Sequence, residues 1–335
     1  VCYLLGSNDL VFPFVHDYLS IIIGAFFFFC IPNFTEAFTR LMGKPMWVLT
    51  SGIICCMMNV ILDWLFVLTW NWGMTGAAIA TCMANTIAAL VLLRNVRFGK
   101  IQGGIVEIRK IFFNGSSELM TSVSSAITTF VFNLILMKNI GVLGVAALTI
   151  VFYLNSIVNM SIFGLSQALY PLMSYSLGAR SYSGIKDLLK ISMIVGGIIG
   201  IGVFMLVIIF KAPILRLYTN DNNELFTIAY QAITFVSLHY LLSFINIVGG
   251  SFHTAIEKPI ESIIIAISRS ILFVLIFLWV LPKFIGTIGI WLSMPLAELA
   301  TICITVPLII KSMNRLYRQL SYTPLRLDER LESED

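Results

Sequence analysis

The chain has 335 residues, of which 59% are hydrophobic and only 11% are charged, and its formal net charge is +4. A soluble domain of this length could not bury so much apolar surface, so the composition excludes a soluble protein and makes the bilayer the solvent. The 6 Cys and 3 His lack the spacing that is typical of metal sites or disulfides. We therefore expect neither a bound metal at those residues nor a cofactor.

Apolar runs of about 20 residues, each long enough to cross a bilayer, recur along the whole chain. They predict an all-α integral membrane protein with about nine transmembrane helices, at approximately residues 17–39, 46–68, 75–94, 112–136, 143–172, 189–210, 226–252, 261–281 and 288–310. No run carries an H-x-x-x-H pair or a G-x-S-x-G motif, which disfavours a membrane-embedded enzyme. We also expect no nucleic-acid partner.

The chain contains an internal repeat: the same order of apolar runs and short motifs occurs twice, at an offset of about 213 residues. Three marks of the first copy, Asn8-Asp9, Lys44-Pro45 and Gly73-x-x-Gly76, recur as Asn220-Asp221, Lys258-Pro259 and Gly286-x-x-Gly289. Residues 111–217 of the second copy have no counterpart, which predicts that roughly 100 residues, or about three helices, are missing before the first residue. We expect a two-lobe bundle of six plus six helices that lacks its first three, as in many secondary transporters.

The distribution of Lys and Arg predicts the orientation, because cytoplasmic loops are rich in both. Alternate loops and the C-terminal segment hold 16 of these residues and the opposite loops hold 4, which places the C-terminus in the cytoplasm. The predicted domains are a partial first lobe of three helices (1–94), a cytoplasmic linker (95–111), a second lobe of six helices (112–318) and a disordered cytoplasmic tail (319–335). Localisation is predicted to be the cell membrane, with the protein a monomer.

Asp63 is an acid within a long apolar run, and an ionisable residue inside a membrane is a functional candidate. Asn59 precedes it by one helical turn, so the amide and the carboxylate share a helix face. Thr81 in the next span lies at a similar distance from the intervening turn and hence at a similar depth. These three residues predict an oxygen-rich site for Na⁺ or a proton. The alternative is an Asp that only caps or pairs locally.

Two charged residues of the second lobe are predicted to lie at similar depth on different helices. Glu118 lies near the start of the first span of this lobe, and Arg269 lies in the span that follows Lys258. We predict a buried Glu118–Arg269 charge pair, with direct contact to a substrate as the alternative. A cavity lined by Phe, Met and Tyr would in addition bind lipophilic cations through apolar area and cation–π contacts.

Three stretches carry a resemblance to a known family. They are Asn59-x-x-x-Asp63, Gly76-Ala77-Ala78-Ile79-Ala80-Thr81, and the run from Gly164 to Arg180 (GLSQALYPLMSYSLGAR). In these, the chain resembles the multidrug and toxic compound extrusion (MATE) transporters, over residues 1 to about 315, with the layout of helices four to twelve. The resemblance implies two six-helix lobes and the export of cationic amphiphilic drugs in antiport with Na⁺ or H⁺. It also implies that Asp63, Asn59 and Thr81 belong to a cation site in the first lobe.

The main alternative function is a lipid-linked oligosaccharide flippase of the same superfamily. Such a flippase would be expected to have a more cationic central cavity for a pyrophosphate group. Arg269 is the one Lys or Arg that the sequence places in the middle of a span, which favours the drug exporter.

Overall fold

A computed structural model describes residues 12–94, 104–219 and 222–321, and within these ranges the regular structure is entirely helical. The chain divides into two compact units, Val1–Gln102 and Gly103–Asp335. Most of the predicted linker (residues 95–103) and most of the predicted tail (residues 322–335) lie outside the described residues, so the predicted disorder of the tail stays a prediction.

The first unit contains four α-helices: α1 (Phe12–Gly24), α2 (Phe26–Leu41), α3 (Pro45–Asp63) and α4 (Gly73–Leu93). The first predicted span is not one straight helix, because α1 and α2 meet at an angle of 53° at a break after Gly24. Helix α3 continues directly into a π-helical segment, Trp64–Thr69. The wider turn therefore begins at the residue that follows Asp63, and single π turns often mark functional sites.

Helices α3 and α4 pack through small residues. Ala78, Ala80 and Ala84 of α4 are completely buried, and the hydroxyl of Ser51 on α3 donates a hydrogen bond to the backbone oxygen of Ala88 at 3.0 Å. Small side chains let two helix backbones approach closely in a membrane, where close packing replaces the hydrophobic effect. This packing holds the polar side chains of α3 next to those of α4.

The second unit contains eight α-helices. They are α5 (Ile105–Asn139), α6 (Val142–Gly178), α7 (Tyr182–Thr219), α8 (Asn223–Val236), α9 (Tyr240–Ala255), α10 (Pro259–Ile267), α11 (Phe273–Ile285) and α12 (Thr287–Ser321). Helix α5 begins inside the segment that the sequence assigned to the linker, because residues 105–111 continue the helix of the first predicted span of this unit. Buried side chains from most of these helices form a large apolar core, whose largest completely buried members are Trp291, Tyr240 and Phe132, and a smaller second cluster includes Met173 and Phe252.

Two spans of the second unit change helix type part of the way along. A 3₁₀ turn, Ser237–His239, joins α8 to α9, and a π-helical segment, Ser268–Leu272, joins α10 to α11. Both irregular segments pack against α12. They aim His239 and Arg269 toward the same part of that helix, which carries Glu298.

In the described ranges, eight helical segments are long and apolar enough to cross a membrane when α8–α9 and α10–α11 are each counted as one segment. The count rises to nine when the bent pair α1–α2 is taken as one span. This agrees with the predicted fold class, an all-α integral membrane protein with about nine transmembrane helices. The ends of most helices extend beyond the predicted apolar runs, because polar residues continue a helix into the interface that flanks the hydrocarbon.

Candidate functional site

The first unit places Asp63 at the end of α3, where the π-helical segment starts. Its Oδ1 atom is buried and has no hydrogen-bond partner. Buried polar atoms are normally paired, so a carboxylate oxygen without a donor is unusual. This orphaned oxygen is the feature of the first unit that most clearly indicates a ligand.

Asn59 and Thr81 meet across the α3–α4 interface. The Asn59 amide nitrogen lies 3.4 Å from Thr81 Oγ1, and the Thr81 hydroxyl donates to the backbone oxygen of Ala77 at 2.9 Å. The structure therefore brings together two of the three predicted site residues, and it places Asp63 one helical turn from Asn59 on α3. The amide and hydroxyl oxygens of this pair are ligand types that suit a hard cation such as Na⁺.

The predicted Glu118–Arg269 pair is not formed in the second unit. The Glu118 carboxylate instead accepts a hydrogen bond of 2.6 Å from the Tyr170 hydroxyl on α6. The Arg269 guanidinium binds Glu298 Oε1, at 2.9 Å through one terminal nitrogen and at 3.1 Å through Nε. The prediction was wrong because it considered only depth, whereas α12 brings a more completely buried acid closer to the guanidinium.

Glu298 is the centre of a buried polar network on α12. Its side chain is only 3% exposed, and its second oxygen accepts a hydrogen bond of 2.5 Å from the Asn246 amide on α9. The Asn246 oxygen in turn accepts a bond of 2.6 Å from the Thr305 hydroxyl. Both carboxylate oxygens are therefore occupied by donors, and these contacts hold the Glu298–Arg269 pair in place.

His239 lies next to this network but forms no hydrogen bond with it. Its Nδ1 atom lies 3.4 Å from Glu298 Oε1, but neither ring nitrogen has a hydrogen-bond partner, although the residue is buried. The 3.4 Å separation is within reach of a charge–charge contact, yet the ring orientation does not give the geometry of a hydrogen bond.

Two adjoining cavities lie beside this network in the second unit. One, of about 300 Å³, is lined by Asn155, Asn159, His239, Arg269 and Glu298 together with Ser and Thr side chains of α5. The other, of about 420 Å³, also includes Asn159 and Arg269 and extends to Glu118, Met160, Phe163 and Tyr170. The shared residues make them neighbouring compartments, one polar and one of mixed character, which is the usual composition of a small-molecule site.

Neither Glu298 nor His239 was among the predicted site residues, although both have a signal in the sequence. Glu298 lies in the apolar run LSMPLAELATICITV, and the criterion that selected Asp63 would also have selected it. His239 lies in ITFVSLHYLLSF, where one ionisable side chain interrupts an apolar span. That both residues face Arg269 could not be read from the sequence, since it depends on how α8, α10 and α12 pack.

Solved transporters share this helical arrangement. An outward-facing multidrug resistance MATE family transporter of the MOP superfamily superposes with a TM-score of 0.87 at 16% identity, covering 94% of this chain and 72% of that chain. A MOP superfamily transporter from Pyrococcus furiosus superposes equally well, at 17% identity over 93% of this chain. At these identities the likeness establishes the fold alone.

Sequence comparison agrees with the fold. Residues 117–280 match the MatE family model. The multidrug export protein MepA of Staphylococcus aureus is 24% identical over 308 residues, which are 88% of this chain and 66% of that protein, and MepA of Staphylococcus saprophyticus is 24% identical over 322 residues, 92% and 69% respectively. The chain therefore spans about two thirds of the length of these relatives. The chain is therefore similar to MATE family transporters, which is the resemblance that the three sequence motifs carry.

Proposed function

We propose that the protein exports cationic amphiphilic compounds across the cell membrane in exchange for Na⁺ or H⁺, and that Asp63, with Asn59 and Thr81, binds the exchanged ion. The C-terminus lies in the cytoplasm and the transporter acts as a monomer. The relatives that are named multidrug export proteins support an exporter, although they are only 24% identical to this chain.

The single observation that carries the proposal is the buried, unpartnered Oδ1 of Asp63. An ionised carboxylate in that position lacks the donors that stabilise Glu298, so its charge needs a proton or a cation. A coupling ion must bind one arrangement of the transporter better than the other. A residue whose charge is stabilised only when the ion is bound meets this requirement, whereas a permanently paired acid does not.

The larger of the two adjoining cavities beside the Glu298 network suits a lipophilic cation. Phe163, Tyr170 and Met160 supply aromatic and thioether surface, and Glu118 supplies a negative charge in the same compartment. Aromatic faces and polarisable sulfur bind cations and apolar groups with little demand on shape. These four side chains are therefore proposed to contact the transported compound.

The flippase alternative is disfavoured by the charge of this cavity. Arg269, the one cation that the sequence placed in mid-span, is neutralised by Glu298 at 2.9 Å. A pyrophosphate would need free cationic groups, and the compartment instead contains the carboxylate of Glu118. The oligosaccharide flippase therefore receives no support from the described part of the second unit.

Dye efflux from vesicles that contain the purified protein tests the proposal, with Na⁺ and pH gradients imposed separately. One of the two gradients should drive efflux in the wild type, and Asp63→Asn should reduce that efflux to background because the amide cannot exchange a charge. Asp17→Asn is the matched control, since Asp17 is an exposed acid of the same unit, 59% exposed and 3.5 Å from His16. Normal ion-driven efflux by Asp63→Asn would refute the assigned role.

A further inference from the structure

The two buried histidines of the second unit have opposite environments. His253 has both ring nitrogens engaged, with Nδ1 2.7 Å from the backbone oxygen of Gly249 and Nε2 3.2 Å from the Ser312 hydroxyl. His239 has neither ring nitrogen engaged in a hydrogen bond, although its side chain is only 8% exposed. Buried polar groups are normally satisfied, so an imidazole with two free nitrogens needs a ligand or water.

His239 also lines a cavity that can supply such a partner. The compartment of about 300 Å³ is lined by the imidazole, by the Arg269–Glu298 pair and by two amides, Asn155 and Asn159, whose oxygens are buried without partners. A polar cavity of this size has room for several water molecules. A proton can therefore approach the ring through hydrogen-bonding groups instead of through hydrocarbon.

Charged groups from two other elements act on the ring. Among the described residues these are Glu298 on α12, whose Oε1 lies 3.4 Å from His239 Nδ1, and Arg269 on the π-helical segment. Burial of the ring opposes a protonated imidazole, the acid favours it and the guanidinium opposes it. The nearest aromatic neighbour with an ionisable group is Tyr240, on the same span, in an edge-to-face contact at 5.9 Å.

We propose that His239 and Glu298 form a proton-binding site of the second unit, separate from Asp63, in which the imidazole takes up a proton and Glu298 stabilises the resulting charge. The proton moves from water to a ring nitrogen, and no other bond changes. Protonation makes Nδ1 and Nε2 both donors, so Nδ1–H can bind Glu298 Oε1 directly.

Proton binding at His239 would act on Arg269, because the two side chains compete for the same oxygen. Glu298 Oε1 accepts both contacts from the guanidinium, at 2.9 and 3.1 Å. A protonated imidazole at that oxygen weakens both contacts and releases the guanidinium toward the compartment that it shares with Glu118. The Arg269 side chain therefore has two arrangements, one bound to Glu298 and one released toward the cavity, and protonation of His239 favours the second.

Nuclear magnetic resonance of the full chain, with ¹⁵N-labelled histidine and reconstituted in lipid nanodiscs, tests the proton site directly. The chain has only 3 His, so each ring can be assigned by replacing it with Gln, and His239 can also be identified by elimination with His16→Gln and His253→Gln. The His239 ring should be neutral at about pH 8 and become charged as the pH is lowered to about 5, because burial opposes the charge and Glu298 supports it. The His253 ring should stay neutral throughout this range.

Glu298→Gln provides the second arm of the test. Removal of the negative charge should reduce the proton affinity of His239 by about tenfold or more, as expected for an opposite charge at this distance. If that variant does not fold, Glu298→Asp keeps the charge but shortens its reach, and it should lower the affinity by less. A His239 ring that stays neutral down to pH 5, or one whose titration is unchanged in both Glu298 variants, would overturn the proposal.

The consequence for transport rests on the proposed export function, whereas the NMR titration does not. At constant Na⁺, His239→Gln should flatten the pH dependence of dye efflux, and His253→Gln should leave it unchanged. If the ring titrates but efflux keeps its pH dependence in His239→Gln, the link to transport is overturned and the proton site stands. If Asp63→Asn transports normally, the proposed role of Asp63 fails and the histidine titration is unaffected.

Discussion

Glu298, which is buried, and Asp63, whose Oδ1 atom is buried in a partly exposed side chain, differ in the donors around their carboxylates. Glu298 has donors at both oxygens, from Arg269 and Asn246, so its charge is stabilised by the protein itself. Asp63 has an unpartnered oxygen, so its charge depends on what binds there. The contacts of the first acid are those of a structural centre, and the proposed role of the second is ion exchange.

Removal of the Glu298 carboxylate should destabilise the protein strongly. Glu298→Ala leaves the Arg269 guanidinium, 17% exposed, without its partner, and an uncompensated buried charge typically costs about 3–5 kcal/mol. Thermal unfolding in detergent measures the effect.

Glu36→Ala is the matched control, because it breaks the Glu36–Arg40 pair, in which both side chains are partly exposed. Pairs that solvent reaches contribute only about 0–1 kcal/mol. Equal losses of stability in the two variants would show that the Glu298 network does not carry the structural role assigned to it.

For single residues, the sequence predicted which side chains lie in the polar sites better than it predicted which side chains they contact. It identified Asp63, Asn59 and Thr81, and the last two do meet across the α3–α4 interface at 3.4 Å. It paired Arg269 with Glu118, but the guanidinium binds Glu298. Depth in the membrane can be read from distance to a loop, whereas the rotation of each helix cannot. The ion-binding role of the three first-unit residues stays a prediction.

At the scale of elements, the spans switch from α-helix to π- or 3₁₀-helix at the positions of their ionisable residues. A π-helical segment follows Asp63, another contains Arg269, and a 3₁₀ turn ends at His239. These changes alter the rotation of the helix beyond them and so re-aim the side chains. The apolar runs predicted the spans themselves, but no motif in them marks these changes, because the changes depend on packing against neighbouring helices. The bend after Gly24 was missed for the same reason.

The Asn246–Glu298–Thr305 network depends on the close approach of α9 and α12. Gly249 of α9 makes this close approach possible. A Cβ atom at Gly249 would overlap the methyl group of Thr305, whereas a Cβ at the adjacent Gly250 would come no closer than 3.8 Å to Ser262. We expect Gly249→Ala to cost about 1–3 kcal/mol of stability, the usual range for an overpacked core.

Gly250→Ala should leave the melting temperature within the experimental error of the wild type, and the two neighbouring variants can be compared in the same detergent. The result that would contradict the account is a Gly249→Ala protein as stable as Gly250→Ala. Such a result would mean that α9 and α12 separate at little cost, and the network of Glu298 would then not be held by their packing.

At the scale of the whole molecule, the sequence predicted the class of fold correctly. Composition and run length alone indicated about nine spans, and eight long helices plus one bent pair are found in the described ranges. This success has a physical reason: a bilayer requires each span to satisfy its own backbone hydrogen bonds, so hydropathy determines the spans almost directly. The orientation and the four predicted domains stay predictions, since charge bias sets topology during insertion and leaves no contact to observe.

Labelling of single cysteines tests the orientation. In a variant in which the 6 native Cys are replaced, Asn139→Cys at the end of α5 should react with a membrane-impermeant thiol reagent added to intact cells. Ser183→Cys near the start of α7 should react only after the membrane is permeabilised, because that loop belongs to the Lys- and Arg-rich side. The reverse pattern would invert the topology and place the C-terminus outside.

The central claim is that the charge of Asp63 is exchanged with a transported ion, and the reactivity of that one carboxyl group measures it. The purified protein is treated with a lipid-soluble carbodiimide, and modification of Asp63 is quantified by mass spectrometry while Na⁺ is varied at constant pH and pH is varied at constant Na⁺. We expect the modification of Asp63 to change with the same ion that drives dye efflux, and the modification of Asp17 to be insensitive to it. A rate of modification at Asp63 that is identical under all of these conditions would contradict the account.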